Sequence, residues 1–563
     1  MPANNQTALL ALYFLAGALL FLSFGYTEMA GSDMWWHIAA GRELLQTGTP
    51  FMVDDWSFSA HGKDWLNHEW LADIIYYVWV SSFGLQAIVY WKWLVLVATF
   101  LTLQYVLYRQ TGSALAALVC AGGAAAVAAP FIDVRPHLYS LLNFAVLLAL
   151  ALERRPRTWI LALLFLVWVN LHGGFFFGLM ALSILLFPWR DLNLDNFRGA
   201  LIVGLVCVLA ASLNPSGLGT FLYPLKYAFD TASPFRGLAE WHPPFRPGGI
   251  RSPLFFYFMY LPAVAVLYAL PRVRKALGVP WEGIALTALT LAMALTSRRF
   301  IPLFGMSLAI MLAPLLGWAF ARLRRRWLEW GVAGVALLFA LYRLAPYPLA
   351  SGPAFHYLVA EFSYPTDSVN FLQANNLQGN VYAYYNWGGY LHWRTDGALK
   401  VYIDGRADTL YDAANYTQYV HVLNSRDNWL REVEATGANY FLWPHRKAHG
   451  VAKLNEMIAT GDWIPLYRDS VSWLVVHRSV ELPDTLRPSP DTPLRDLTAA
   501  RLASAKGDLV TGEQLAQAVR AYLPWQKDAC ALLINIYRKT GRADNAAAVL
   551  ADCRSYFPTK MLR

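Results

Sequence analysis

Charge is what this sequence has least of: Asp, Glu, Lys and Arg make up 15% of its 563 residues, against about 25% in soluble domains. With 57% hydrophobic residues, that scarcity excludes an ordinary soluble domain and marks a membrane protein. What charge there is sums to +9, but Lys and Arg gather beside apolar segments rather than along one basic face, which argues against nucleic acid as a partner. No Lys or Arg precedes Arg42. The basic n-region of a secretory signal peptide is therefore missing, and the first apolar run is expected to remain as a membrane helix. Cysteine is also sparse. Of four, Cys120 and Cys207 fall in apolar runs, where a thiol behaves as a small hydrophobe. Cys530 and Cys553 lie near the C-terminus, where a disulfide is compatible with an oxidising compartment, though no pattern compels one.

Long apolar runs are what the sequence does have. Runs suited to about 30 Å of hydrocarbon fall near 8–25, 86–107, 113–130, 137–152, 158–171, 174–189, 199–213, 253–270, 282–297, 301–320 and 327–344. They imply a mainly α, polytopic helical bundle over 1–345 with about eleven transmembrane helices. Arg109, the 153–157 stretch, Arg190 with Arg198, the Arg272, Arg274 and Lys275 group and the 322–326 cluster occupy alternate connections. The positive-inside bias makes those connections cytoplasmic. The N-terminus is then expected inside, and loops 26–85 and 214–252 and everything after about 345 outside. In a bacterium this corresponds to an inner-membrane protein with a periplasmic C-terminus.

Beyond the bundle, residues 350–480 read as a small external α/β domain. "NVYAYYNWGGYL", "KVYIDGR", "NYFLWP" and "WIPLYRDSVSWLVVHR" are rich in strand-forming residues, and "TDSVNFLQANN" and "DNWLREVEATG" read as helices between them. A Pro- and Asp-rich linker at 481–494 leads to amphipathic helices over 495–563, whose Ala, Leu and Tyr spacing suggests a tetratricopeptide-like hairpin. Such hairpins are usually binding surfaces, so a protein partner is expected at this tail.

The candidate chemistry lies where external loops meet apolar helices. In "GSDMWWHIAAGRELLQTG" a helix is expected to start at Ser32 or Asp33 and end at Gly48. Asp33 either caps that helix or is chemistry, and His37 shares its face one turn on. "FMVDDWSF" adds Asp54 and Asp55, and "DWLNHEWLAD" adds His68, Glu69 and Asp73. Repeated carboxylates near hydrocarbon are costly and usually mark a site. "PFIDVRPHLYS" places Asp133, Arg135 and His137 on the external side, "VNLHGG" adds Asn170 and His172, and "LTSRRF" adds Arg298 and Arg299. External arginines run against the positive-inside bias. They suit a phosphate, which guanidinium binds in bidentate fashion, or alternatively lipid headgroups. Outside the cytoplasm there is no nucleotide-sugar pool, so a transferase there needs a membrane-borne donor such as a polyprenyl-phosphate sugar. A carboxylate taking a proton from the acceptor hydroxyl and arginines stabilising the departing phosphate complete the chemistry.

With one apolar helix followed by "GSDMWWHIAAGRELLQTGTPFMVDDWSF", the sequence resembles the GT-C superfamily of membrane glycosyltransferases. The resemblance implies Asp33 as catalytic base or metal-binding carboxylate, and Asp54 and Asp55 at the second acidic position. "YYNWGGYLHW" at 384–393 is similar to the WWDYG motif of the oligosaccharyltransferase catalytic subunit, with Asn386 where that family has Asp. The residues by themselves also fit a glycine-permitted turn. Glu240 in "GLAEWHPP" falls where that family uses a loop glutamate, whereas "YIDGRAD" fits an internal salt-bridged turn. The resemblance further implies Mg or Mn, for which Asp33, His37 and Asp54 or Asp55 are candidate ligands. The expected activity is inverting transfer of a sugar from a polyprenyl-phosphate donor to a lipid, glycan or protein acceptor. Arg135, His137, Arg298 and Arg299 would hold the donor phosphate, with His37, His68, Glu69, His172 and Glu240 around the acceptor. The competing readings are a transporter or flippase for lipid-linked glycans, and a non-catalytic assembly factor.

Overall fold

The computed structural model of the chain describes residues 3–27, 31–151, 157–229, 232–321, 326–345, 349, 359, 363–445, 449–524 and 526–556. The basic stretches at 153–156 and 322–325, and the start of the expected α/β domain at 350–358, lie outside them. The chain divides into two compact units. One comprises Met1–Thr27, Leu66–Ala72 and Tyr90–Tyr347; the other comprises Glu28–Trp65, Asp73–Val89 and Pro348–Arg563.

Apolar composition makes the first unit helical. Among the described residues, Gln6–Phe24, Leu85–Thr111, Ala114–Phe131, Leu194–Ala211 and Arg298–Ala321 are long and apolar enough to cross a membrane, consistent with a multi-pass membrane protein. Phe255–Ala269 and Pro271–Leu277 make a sixth if counted as one span, although they meet at 93°. The break falls at Leu270, whose extended backbone precedes the helix-starting Pro271, as a residue before proline prefers. The expectation of about eleven spans is thus met only in part. His137–Ala151, Thr158–Leu171, Phe175–Leu186 and Trp281–Thr296 are helices of 12 to 16 residues. At 1.5 Å per residue they reach about 18–24 Å, short of the hydrocarbon thickness. Arg326–Leu344 is helical too, but carries Arg326, Glu329 and Arg343.

Small residues let these helices approach closely, as in other membrane bundles. A Cβ on Gly305 would sit 3.3 Å from the Ala124 carbonyl oxygen. Val127, Phe131, Phe255, Ile301, Phe304 and Met311 pack into one core around that contact.

The second unit is built on a five-stranded sheet. Its strands are β3 (Gly379–Ala383), β4 (Leu399–Val401), β5 (Tyr440–Pro444), β6 (Trp463–Arg468) and β7 (Ser472–His477), in the order β4-β3-β5-β7-β6. A short hairpin, β1 (Met52–Val53) with β2 (Asp64–Trp65), precedes them in the chain. β3 pairs in parallel with β4 and β5, and β7 antiparallel with β5 and β6. "NVYAYYNWGGYL" is strand only to Ala383; a turn of 3-10 helix at Tyr385–Trp387 leads into the helix Gly388–Thr395. Residues 56–58 lie along the edge strand β4, where Val401 N–H donates to the Trp56 carbonyl and Phe58 N–H to that of Val401, each at 3.0 Å. The first loop thus covers a sheet edge that would otherwise present unpaired backbone.

The linker at 481–494 is pinned rather than loose. Arg487 N–H donates to Asn375 Oδ1 at 2.7 Å and Ser489 Oγ to the buried Asp367 Oδ1 at 2.5 Å. Four helices follow, Pro493–Ala505, Leu509–Tyr522, Lys527–Lys539 and Ala543–Tyr556. A Cys530–Cys553 disulfide joins the last two.

Candidate functional site

In the α/β unit, the helix Asp33–Thr47 ends as its sequence suggests, at Gly48 with φ 68° and its N–H on the Leu44 carbonyl. Its start differs from the capping alternative. Ser32 occupies the cap position without a side-chain capping bond, and Asp33 is the first helical residue. Ser32 Oγ donates to Asp33 Oδ1 at 3.2 Å, and Asp33 is half-buried. An acidic side chain there is favoured by the helix dipole and remains open to solvent.

Three glycines from two later motifs close around this helix start. A Cβ on Gly405 would lie 2.8 Å from Trp36 Nε1 and 3.2 Å from Asp33 Oδ1. A Cβ on Gly389 would meet Trp36 at 2.8 Å, and one on Gly388 would meet Asp404 Cβ at 2.4 Å. The glycines of "NWGGY" therefore permit close packing, not a turn. Trp35 packs edge-on against Tyr364 and Tyr390, with ring centroids at 5.3 and 4.8 Å. Gly405→Ala is expected to destabilise the protein by about 1–3 kcal/mol, the usual cost of overpacking. Thermal unfolding measures that.

The other carboxylates of the first loop have structural partners. Asp54 is buried; it accepts from Trp56 N–H, Ser57 N–H and Ser57 Oγ, and pairs with Arg406 Nη1 at 2.7 Å. That sealed carboxylate, expected at the second acidic position of the site, is bonded within the fold and anchors the loop to Arg406. Asp55 is exposed, with Lys400 Nζ at 3.8 Å. His37 is buried, its Nδ1 2.6 Å from Asp73 Oδ1. Among the described residues no group of three His, Cys, Asp or Glu is arranged to hold a metal ion. The chemistry proposed below takes no step through a metal. "YIDGRAD" does form the salt-bridged turn: the Arg406 guanidinium clasps both Asp404 oxygens at 2.8 to 3.1 Å.

In the helical unit, residues from five separated stretches converge. Glu240 Oε2 meets Arg135 Nη1 at 2.5 Å and Oε1 lies 3.4 Å from Arg299 Nη1. Arg299 lies over the Trp241 ring at 4.3 Å. Burial alone would raise the Glu240 carboxyl, but Arg135 and then Arg299 hold it down at about 2. His137 Nε2 donates to the Phe131 carbonyl at 2.9 Å, which fixes the turn carrying Arg135. Glu69 Oε1 lies 3.7 Å from His68 Nε2 and 3.6 Å from His172 Nε2. The Gly174 N–H donates to His172 Nδ1 at 2.9 Å, so in the neutral ring the proton sits on Nε2, facing Glu69. Burial, then the charge of Arg299, keeps His172 well below the usual histidine range and hence neutral.

Arg298, another of the expected phosphate ligands, is likewise engaged by backbone carbonyls. It is buried, and its guanidinium donates to the carbonyls of His242, Gly248, Ile250, Pro243 and Arg246. Five donors meet five acceptors, leaving none for a phosphate, so Arg298 organises the 242–250 loop instead. Arg298→Gln is expected to open that loop to proteolysis and to cost about 1.5–3 kcal/mol, the range for hydrogen bonds from a charged group. Limited proteolysis with cleavage-site mapping checks it.

Trp241 and Ser140 join these residues, and Lys92 is a further buried charge in the helical unit. Ser140 Oγ contacts His172 Nδ1 at 2.7 Å and accepts from Trp168 Nε1. Lys92 Nζ is buried on the Thr27 carbonyl at 2.7 Å. A lysine inside an apolar run is itself a signal; Ser140 and Trp241 give none apart from their neighbours. No family model matches the chain, and no curated protein matches it.

Proposed function

We propose that the chain is an inverting membrane glycosyltransferase. It moves a sugar from a polyprenyl-phosphate donor to an acceptor hydroxyl on the external, periplasmic face of a bacterial inner membrane. The observation that carries this reading is the half-open cluster in which Arg135 and Arg299 flank Glu240 within a unit of membrane-length helices. Guanidinium pairs suit a phosphate whose charge grows as the sugar leaves. Asp33 supplies the base: the acceptor O–H proton passes to its carboxylate, the acceptor oxygen bonds to the anomeric carbon, and the bond from that carbon to the phosphate oxygen breaks. Polyprenyl phosphate leaves from the opposite face, which inverts the anomeric centre. The four-helix tail fits a protein-binding role.

The test is a panel of radiolabelled polyprenyl-phosphate sugars given to the detergent-purified protein, comparing wild type with Asp33→Asn. Turnover by wild type that disappears in the folded variant supports the transferase. If wild type consumes no donor, a flippase or an assembly factor for lipid-linked glycans is the better account.

A further inference from the structure

Glu240 occupies the place where the proposed donor phosphate would bind. Its two oxygens each reach a different guanidinium, Arg135 at 2.5 Å and Arg299 at 3.4 Å. A phosphate addresses two guanidiniums through paired oxygens in the same way. The contrast with the other arginine–carboxylate cluster is informative. Arg406, Asp404 and Asp54 are sealed from solvent at 0% side-chain exposure, as a permanent structural ion cluster is. Glu240, Arg135 and Arg299 keep 24%, 24% and 27%, and the Arg299 link is long.

The backbone around Glu240 is fixed. Ser297 Oγ donates to the Glu240 carbonyl at 3.2 Å, and Arg298 N–H to that of His242 at 3.1 Å. The five carbonyls gripped by Arg298 hold the chain that follows. A rotation of the side chain about its own bonds would leave this backbone in place.

We propose that Glu240 is a displaceable stand-in for the donor phosphate. Without ligand it keeps Arg135 and Arg299 aligned and charge-compensated. Donor binding swings the carboxylate out, and its return competes with the spent polyprenyl phosphate and speeds release. This rests on the reading of Arg135 and Arg299 as the phosphate ligands. Binding is weakened by the fraction of molecules in which the side chain is already out, in exchange for a site whose arginines are pre-aligned.

The experiment is equilibrium binding of radiolabelled undecaprenyl phosphate to the full chain in phosphatidylcholine nanodiscs. Wild type is compared with Glu240→Gln and with the double variant Arg135→Gln/Arg299→Gln. Glu240→Gln is expected to bind about tenfold tighter, as for a competent fraction near one in ten, and to release more slowly, while the double variant loses binding. Unchanged or weaker binding by folded Glu240→Gln, with loss in the double variant, overturns the stand-in and leaves the phosphate site intact. Absence of binding by both wild type and Glu240→Gln removes the phosphate site and the stand-in together. Should Glu240→Gln fail to fold, Glu240→Asp keeps the charge and shortens its reach; it is expected to bind more tightly than wild type, and failure to do so overturns the proposal.

Discussion

Asp33→Asn is expected to lower donor turnover by about 10²- to 10⁴-fold, the usual worth of a positioned general base, with little change in the unfolding temperature. The separation of the two effects follows from the local structure. Asp33 is half-exposed in the first turn of its helix, and the cap position belongs to Ser32. Asn is isosteric with Asp, so Ser32 Oγ and the glycine-lined space near Gly405 meet the same shape. What is lost is an anionic proton acceptor and the modest attraction of the helix dipole, about 0.3–1 kcal/mol. Donor turnover measured beside thermal unfolding decides the matter. A variant as active as wild type removes Asp33 from the chemistry, whereas a variant that is inactive only because it unfolds makes Asp33 structural.

Arg406→Met is expected to be among the most destabilising single changes, at about 3–5 kcal/mol, because it removes one partner from a buried ion cluster. The Arg406 guanidinium serves two carboxylates at once, Asp404 and Asp54. Its faces lie 4.3 Å from the Trp56 ring and 5.1 Å from that of Trp65. Burial would weaken its proton affinity, yet Asp404 above all, with Tyr411 and Asp54, pushes it well above the usual arginine value. Met fills much of the volume but leaves two carboxylates buried without a cation. Asp54→Asn should cost less, because Arg406 and Asp404 remain a neutral pair. Denaturant or thermal unfolding of the two variants gives the order; if Asp54→Asn is the more damaging, the cluster is not held together by Arg406.

Much of the architecture was legible locally. The apolar runs, the helix from Asp33 to its Gly48 stop and the strands at 440–444, 463–468 and 472–477 follow from composition, period and turn residues, which act over a few neighbours. The span count was less legible, since an apolar run does not say where a helix will stop; Thr158–Leu171 stops after 14 residues, with His172 in extended backbone. In the helical unit the sequence also singled out residues that the fold brings together, Arg135, Arg299 and Glu240, because charges near hydrocarbon are costly wherever they fold.

What the sequence could not separate were adjacent residues of the same kind. Arg298 and Arg299 read identically, yet one is consumed by five carbonyls and the other lies on Trp241 beside Glu240. Asp54 and Asp55 are equally alike in a turn, yet one is sealed against Arg406 and the other is exposed. The glycines of "NWGGY" and "IDGR" could be read as turn formers until Trp36 and Asp404 were found where their Cβ atoms would be. By itself, then, the sequence determined a membrane bundle, a Val- and Tyr-rich sheet and a set of charged residues at the ends of apolar helices. Tertiary structure alone decided which of those charges are spent on the fold. Hydrophobic period is a property of neighbours in the chain, whereas the partner of a carboxylate or guanidinium can come from a distant part of the chain and is chosen by packing.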